Sequence, residues 1–452
     1  MTDEITARAQ AIAAEQNEQL WARTSGSKAM YERASRSMPL GVPSSFQAWE
    51  PYPVYLRDGR GSRVWDVDGN EYIDFHNGFG SMVVGHAHPK VAEAIERAAR
   101  RGTHFAAPTE DTVRFAEELC RRFQVDEVRF ANSGTEATMT AIRVARAATG
   151  REHIVKIEGS YHGHADAVMF SVVPNSDVMG GRDAPATTPM STGIPAVTAE
   201  YTHVVPFNDL DALSRLLDAR GDEIACLILE PVMMNIGICQ PQPGYLEGAR
   251  DLLHRHGALL VFDEVKSGAT IAAGGATERY GVVPDLACWA KAIGGGTPGA
   301  AFGGRRDVME VIGTGAAQQG TFNGNPLVAA AGLAALTEVL TADAYEYLAS
   351  LGTRLAEGCA KALAEHGIPG HAVDLGAKGC VSYRPEPLQS YRDFLETNPE
   401  LYLASYPWAM NRGVFMTPGD EEQWTLSVQH TPEDIDRYVE MFADFCATLA
   451  AA

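Results

Sequence analysis

An apolar run at residues 258–262 stops on two consecutive acids, Asp263 and Glu264. A run of that length and composition fits a strand buried on both faces, as a parallel sheet requires. Asp263 then falls at the strand's carboxyl end, where open α/β sheets place their ligands. Similar runs recur at residues 127–131, 154–157, 167–170, 224–229 and 287–290, with helical patterns between them. This alternation predicts an α/β fold with a mostly parallel central sheet flanked by helices. The last run leads into Lys291 and the triplet Gly294, Gly295, Gly296. Lysine is rarely buried without a partner. Lys291 therefore either snorkels to the surface or has a task, and Asp263 either caps a helix or serves a ligand.

At 452 residues the chain exceeds one typical core. Residues 1–84 read as an N-terminal segment: helix to residue 37, then a small antiparallel unit around the Asp58-Gly59 and Asp68-Gly69 turns. Residues 85–335 carry the alternating pattern and form the expected large domain. Residues 336–452 read as a smaller α+β domain, which the N-terminal segment joins. A helix is expected over 327–340. The stretch at 174–199, rich in Gly, Pro, Thr and Ser, is long for a structureless loop and is expected to be a lid. A net charge of −21 without a basic tract offers nothing to nucleic acid. The seven cysteines are scattered without CxxC spacing, which suits reduced thiols. No basic-then-apolar leader is evident, and no apolar run nears the ~18 residues of a membrane span. A cytoplasmic protein without membrane partners is expected.

Asn132, Ser133, Gly134, Thr135 and Glu136 stand between the 127–131 run and a helical stretch. Backbone N–H groups, two hydroxyls and a helix dipole would make a phosphate site there. The segment lacks the Gly-Lys-Ser/Thr of a nucleotide loop. It also fits an ordinary N-cap, with Glu136 completing a capping box from Ser133. Residues 159–164, Gly-Ser-Tyr-His-Gly-His, place an aromatic ring and imidazoles after the next run. The pairs His162/His164 and His86/His88 lack further ligands, so no metal is expected. Phosphate cradle, aromatic platform, Asp263 and Lys291 together match pyridoxal 5'-phosphate. Its aldehyde needs a lysine amine. Its ring nitrogen stays protonated beside a carboxylate.

On these residues the chain resembles the class III aminotransferases of the fold-type I pyridoxal-phosphate enzymes, nearest their glutamate-1-semialdehyde 2,1-aminomutase branch. The matching text covers nearly the whole chain: residues 65–74, 85–89, 132–137, 161–166, 229–231, 259–265, 290–296 and 319–327. The resemblance implies a large domain with a mostly parallel sheet and a small α+β domain. It implies that Lys291 forms the internal aldimine and shuttles the proton between substrate and cofactor. Asp263 would hold the pyridine nitrogen. Val265 and Tyr161 would cover the two ring faces, with His162 nearby. Ser133, Gly134 and Thr135 would bind the phosphate, and Asn235 would approach the ring hydroxyl. A homodimer is implied, with Thr321 reaching the neighbouring subunit's phosphate. Glu422 would lie near the substrate amine.

Two segments depart from the family. Residues 41–49 read Gly-Val-Pro-Ser-Ser-Phe-Gln-Ala-Trp, with Gln47 where the substrate-carboxylate arginine is expected. A neutral amide cannot replace a bidentate guanidinium. The segment is aromatic instead, and Gln47 and Trp49 are expected to face substrate, the alternative being that Phe46 and Trp49 are core or interface. Lys266, Ser267, Gly268, Ala269 and Thr270 replace a form that ends Gly-Phe-Arg in the family. The expected activity moves an amino group from an amine or amino acid, of bulky, aromatic or β-amino type, to a 2-oxo acid. The alternative on this scaffold is a 2,1-aminomutase or an amino-acid racemase. A cofactor-free binding protein is the competing class, and a buried lysine without its aldehyde counts against it.

Overall fold

The computed structural model describes residues 2–419 and 424–451. Its centre is a seven-stranded sheet, ordered Glu127–Ala131, Ala300–Gly304, Leu286–Trp289, Leu259–Asp263, Ile224–Leu229, His153–Ile157, Thr202–Val205. Every pairing is parallel except the two made by Ala300–Gly304. Alternate residues feed two separate cores. Cys226, Ile228 and Val261 pack with the helix Gly134–Thr149. Leu227, Leu229, Leu260 and Phe262 pack on the other face with Leu213, Leu246 and Leu253. Burial on both faces is why these strands read as unbroken apolar runs.

Three expectations are corrected. The run at 167–170 is no strand: Asp166–Val168 is a 3-10 turn, and Phe170 makes only an isolated bridge to Pro189. Four apolar residues can be a buried turn as readily as a strand. Thr202–Val205 and Ala300–Gly304 join the sheet instead. The latter hides in its composition, since alanine and glycine are poor strand markers. The helix over 327–340 begins as Pro326–Leu333 and widens into a π-helix at Ala334–Val339.

The helices Thr2–Arg23 and Ser25–Ala34 precede a second sheet of Leu56–Arg60, Arg63–Asp66, Glu71–Asp74 and Val414–Phe415. Val414 pairs with Ile73, so residues from both ends of the chain share this sheet. A third sheet joins His371–Leu375, Lys378–Ser382 and Trp424–Thr425. The 174–199 stretch contains a short hairpin, Gly180–Gly181 against Ala184–Pro185. It contributes no residue to the wall of the main cavity. Arg392 donates to the carbonyls of Met179 and Gly180 and pairs with Glu158 at 2.7 Å, which pins the stretch in place.

In the seven-stranded sheet all strands but one run the same way, so the segments after Ala131, Ile157, Leu229, Asp263 and Trp289 leave from one edge. The antiparallel strand enters from that edge, since Ala300 pairs with Ala131.

Candidate active site

These segments enclose a cavity of about 490 Å³. Ser133, Gly134, Thr135, Tyr161, His162, Asn235, Asp263, Val265 and Lys291 all line it. Ser133 caps the helix Gly134–Thr149, its hydroxyl accepting from Glu136 N at 3.2 Å. The capping box is not completed. The Glu136 carboxylate turns back to Asn132 N at 2.8 Å instead. A β-carbon on Gly134 would lie 3.0 Å from Val265 Cγ2, so glycine lets the helix terminus close on the valine. Thr135 Oγ1 accepts from His164 N at 3.3 Å, joining the next loop.

Asp263 is buried at its strand's end. Its Oδ2 meets His162 Nδ1 at 2.7 Å, and its Oδ1 accepts from Val265 N at 3.0 Å. A carboxylate only accepts, so Nδ1 carries the proton. His162 Nε2 is buried and has no hydrogen-bond partner among the described residues. Glu230 is buried in the cavity wall and accepts from Tyr161 N at 2.9 Å, Met234 N at 3.0 Å and Asn235 Nδ2 at 2.9 Å. Burial pushes its carboxyl up. Burial, with the Asp263 charge, also raises the Tyr161 phenol. Lys156 is fully buried and donates to the carbonyls of Ile157, Ser160 and Phe170 at 3.1, 3.0 and 2.7 Å. Burial lowers its pKa to about 7.

Lys291 follows the strand Leu286–Trp289 and opens a short 3-10 turn with φ +50°. A left-handed backbone costs a residue bearing a β-carbon about 1–2 kcal/mol. Strain of this kind gathers at working sites. Lys266 also lines the cavity, buried, donating to Met234 O at 3.0 Å.

The mouth is aromatic. Phe46 meets Tyr161 edge-on at 5.5 Å and Phe79 at 5.8 Å between ring centres. Phe79 sits in a run of four positive-φ residues: Asn77 (45°), Gly78 (60°), Phe79 (55°) and Gly80 (89°). Asp74 secures the entry to this turn, accepting from His76 N at 2.9 Å and Asn77 N at 2.8 Å. Its other oxygen meets His86 Nε2 at 2.6 Å. Sequence reasoning missed Phe79, although the Asn-Gly-Phe-Gly text signals a left-handed backbone.

Two expected substrate contacts are not brought in. Gln47 is exposed and outside the wall. Trp49 packs on Tyr406, ring centres 5.0 Å apart, against the small core of Leu20, Val64 and Tyr72. The backbone extends at Ala48 (ψ 138°) after the turn Ser45–Gln47, which carries Trp49 away and leaves Phe46 at the wall. Thr321 is exposed and outside the cavity of its own chain. Glu422 lies outside the described residues.

The set fits pyridoxal phosphate. A helix terminus with two hydroxyls suits the phosphate. Tyr161 and Val265 supply surfaces for a flat ring, Asp263 an acceptor for a protonated nitrogen, and Lys291 an amine for the aldehyde. The partnerless His162 Nε2 marks a wall built to meet another group.

The family model for aminotransferase class-III matches residues 46–380. A glutamate-1-semialdehyde 2,1-aminomutase of Brevibacillus brevis is 41% identical, over 91% of this chain and 96% of its own. A solved omega-transaminase from Sphaerobacter thermophilus is 35% identical, with TM-score 0.88, covering 94% of this chain and 98% of that one. A glutamate-1-semialdehyde aminomutase from Pseudomonas aeruginosa, solved in complex with PMP, is 28% identical, with TM-score 0.90 over 98% and 99% of the two chains.

Proposed function

The chain belongs to the class-III aminotransferases, and from that premise we propose that Lys291 carries the proton while an amino group leaves one small molecule for another carbonyl. Pyridoxal phosphate supplies a pyridine ring that accepts electron density from the reacting carbon. The remaining roles fall to the chain. Asp263 holds a proton on the ring nitrogen, and His162 keeps that carboxylate in place through its 2.7 Å contact. Ser133, Gly134 and Thr135 seat the phosphate at the helix terminus, and Val265 and Tyr161 confine the ring. The observation that carries this reading is that Asp263 and Lys291 leave neighbouring parallel strands and line one cavity. Borohydride treatment of the holoprotein should fix the cofactor onto Lys291 and nowhere else. A Lys291→Ala variant with full turnover would refute the assignment.

The finer reading the cavity supports is transfer from a bulky, aryl-bearing or β-amino donor to a 2-oxo acid. Its support is the ring wall of Phe46, Phe79 and Tyr161. A second reading is an intramolecular 2,1-aminomutase or a racemase. The names of the curated relatives weigh toward the aminomutase. Dependence of turnover on an added 2-oxo acid separates the readings: an aminomutase needs none, and a racemase changes optical rotation without it. Thr321 is proposed to serve the cavity of a second copy, which makes a homodimer the working unit.

A further inference from the structure

Three hydrogen bonds from two different loops end on one buried carboxylate. Glu230 takes the backbone N–H of Tyr161 on one oxygen, and the backbone N–H of Met234 with the side-chain amide of Asn235 on the other. Both loops line the cavity: one carries the Tyr161 ring, the other Asn235. With Glu230 ionised, the contact at 2.9 Å uses the nitrogen of Asn235 and disfavours the flipped amide. A buried acceptor shared by three donors resists rearrangement, because losing it strands N–H groups away from water.

We infer that Glu230 is a positioning residue that sets, from the cavity wall, both the seat of the Tyr161 ring and the edge that Asn235 turns toward the cofactor. The inference rests on the reading that the cavity holds pyridoxal phosphate. Glu230 is itself part of the cavity wall; the role assigned here is exerted through its two neighbours. Its side chain is therefore felt in the electronic state of the bound cofactor before it is felt in turnover.

The test replaces Glu230 with Gln, which keeps the shape but puts a donor where one oxygen accepted. Either the Tyr161 N–H or the Met234 and Asn235 pair then loses its acceptor. The pH midpoint of the holoprotein's visible absorption band should move by about one unit, a tenfold change in proton affinity. The cofactor's dissociation constant should rise roughly tenfold. Asn235→Ala should move the same midpoint. The Glu230→Gln/Asn235→Ala double variant should move it no further than the larger single change, since the two groups act as one. Unchanged midpoint and affinity in Glu230→Gln, with only a lower melting temperature of the cofactor-free protein, overturn the inference. Additive shifts in the double variant overturn it as well. If Glu230→Gln does not accumulate folded, Asn235→Asp reads the same contact by facing two carboxylates. A midpoint shift beyond that of Asn235→Ala supports the inference, and the absence of one overturns it. A wild-type chain that takes up no cofactor would refute the parent reading, and this one with it.

Discussion

Asp263 and Phe46 line one cavity and are held in opposite ways. Asp263 is buried, with two hydrogen bonds to its carboxylate. The buried Glu230 and Lys156 carry three each. Phe46 is 50% exposed and meets its neighbours through ring contacts. Buried polar groups need their full set of partners, so change on the floor strands a donor or an acceptor. Apolar contacts are non-directional, so a ring at the mouth can be exchanged for another side chain at small cost. On the proposed reading, the chemistry rests where substitution is punished, and substrate choice where it is tolerated.

The strongest test of the floor is Lys291→Ala. Turnover should fall by about 10⁴-fold, the upper end for a positioned proton carrier, as read in a coupled assay with saturating cofactor. Asp263→Asn should cost about 10²–10³-fold in kcat, in the range for removing one preorganised electrostatic partner. A loss of only a few fold would mean that the floor and the mouth do not differ as described. At the mouth, Phe46→Ala should lower the kcat/KM ratio of aryl over short aliphatic donors by roughly tenfold, as expected for one pocket contact. An unaltered ratio would remove the mouth from substrate choice. The smallest effect expected is on stability. Lys156 titrates at about 7 in the fold against 10.5 in the open chain. Between those values the unfolded chain binds more protons, so stability gained from this group rises with pH from about 7 to 10.5. Lys156→Met should flatten that rise, measured as urea midpoints at neutral and at alkaline pH.

Part of the floor is legible in the sequence because its parts are local, whereas Glu230 and Lys156 find partners in other loops and are not. Each strand end and the loop after it spells its own residues, from Ser133 to Lys291, and a parallel sheet gathers them on one edge. The mouth was not legible, because it is assembled from distant segments. Phe46 and Tyr161 meet only after the N-terminal segment packs across the large sheet, and no periodicity places one opposite the other. The place of Trp49 escapes the sequence for the same reason: the turn Ser45–Gln47 and the extended backbone at Ala48 decide which aromatic residue turns inward. Ala300–Gly304 escaped notice because a strand of small residues carries little apolar signal, although it supplies the one reversal of direction in the sheet.

The left-handed run from Asn77 to Gly80 has a consequence for anyone who would retune this protein. A side chain at Gly80 would drive into Lys378, and one at Gly78 into Ser81. Both glycines also carry a φ that other residues adopt only under strain. Replacing either glycine at the rim is therefore costly, while position 79 already carries a side chain on the left-handed backbone. If the proposed mouth selects substrate, a library gains by varying Phe79 and Phe46 together on a fixed backbone rather than randomising the glycines beside them.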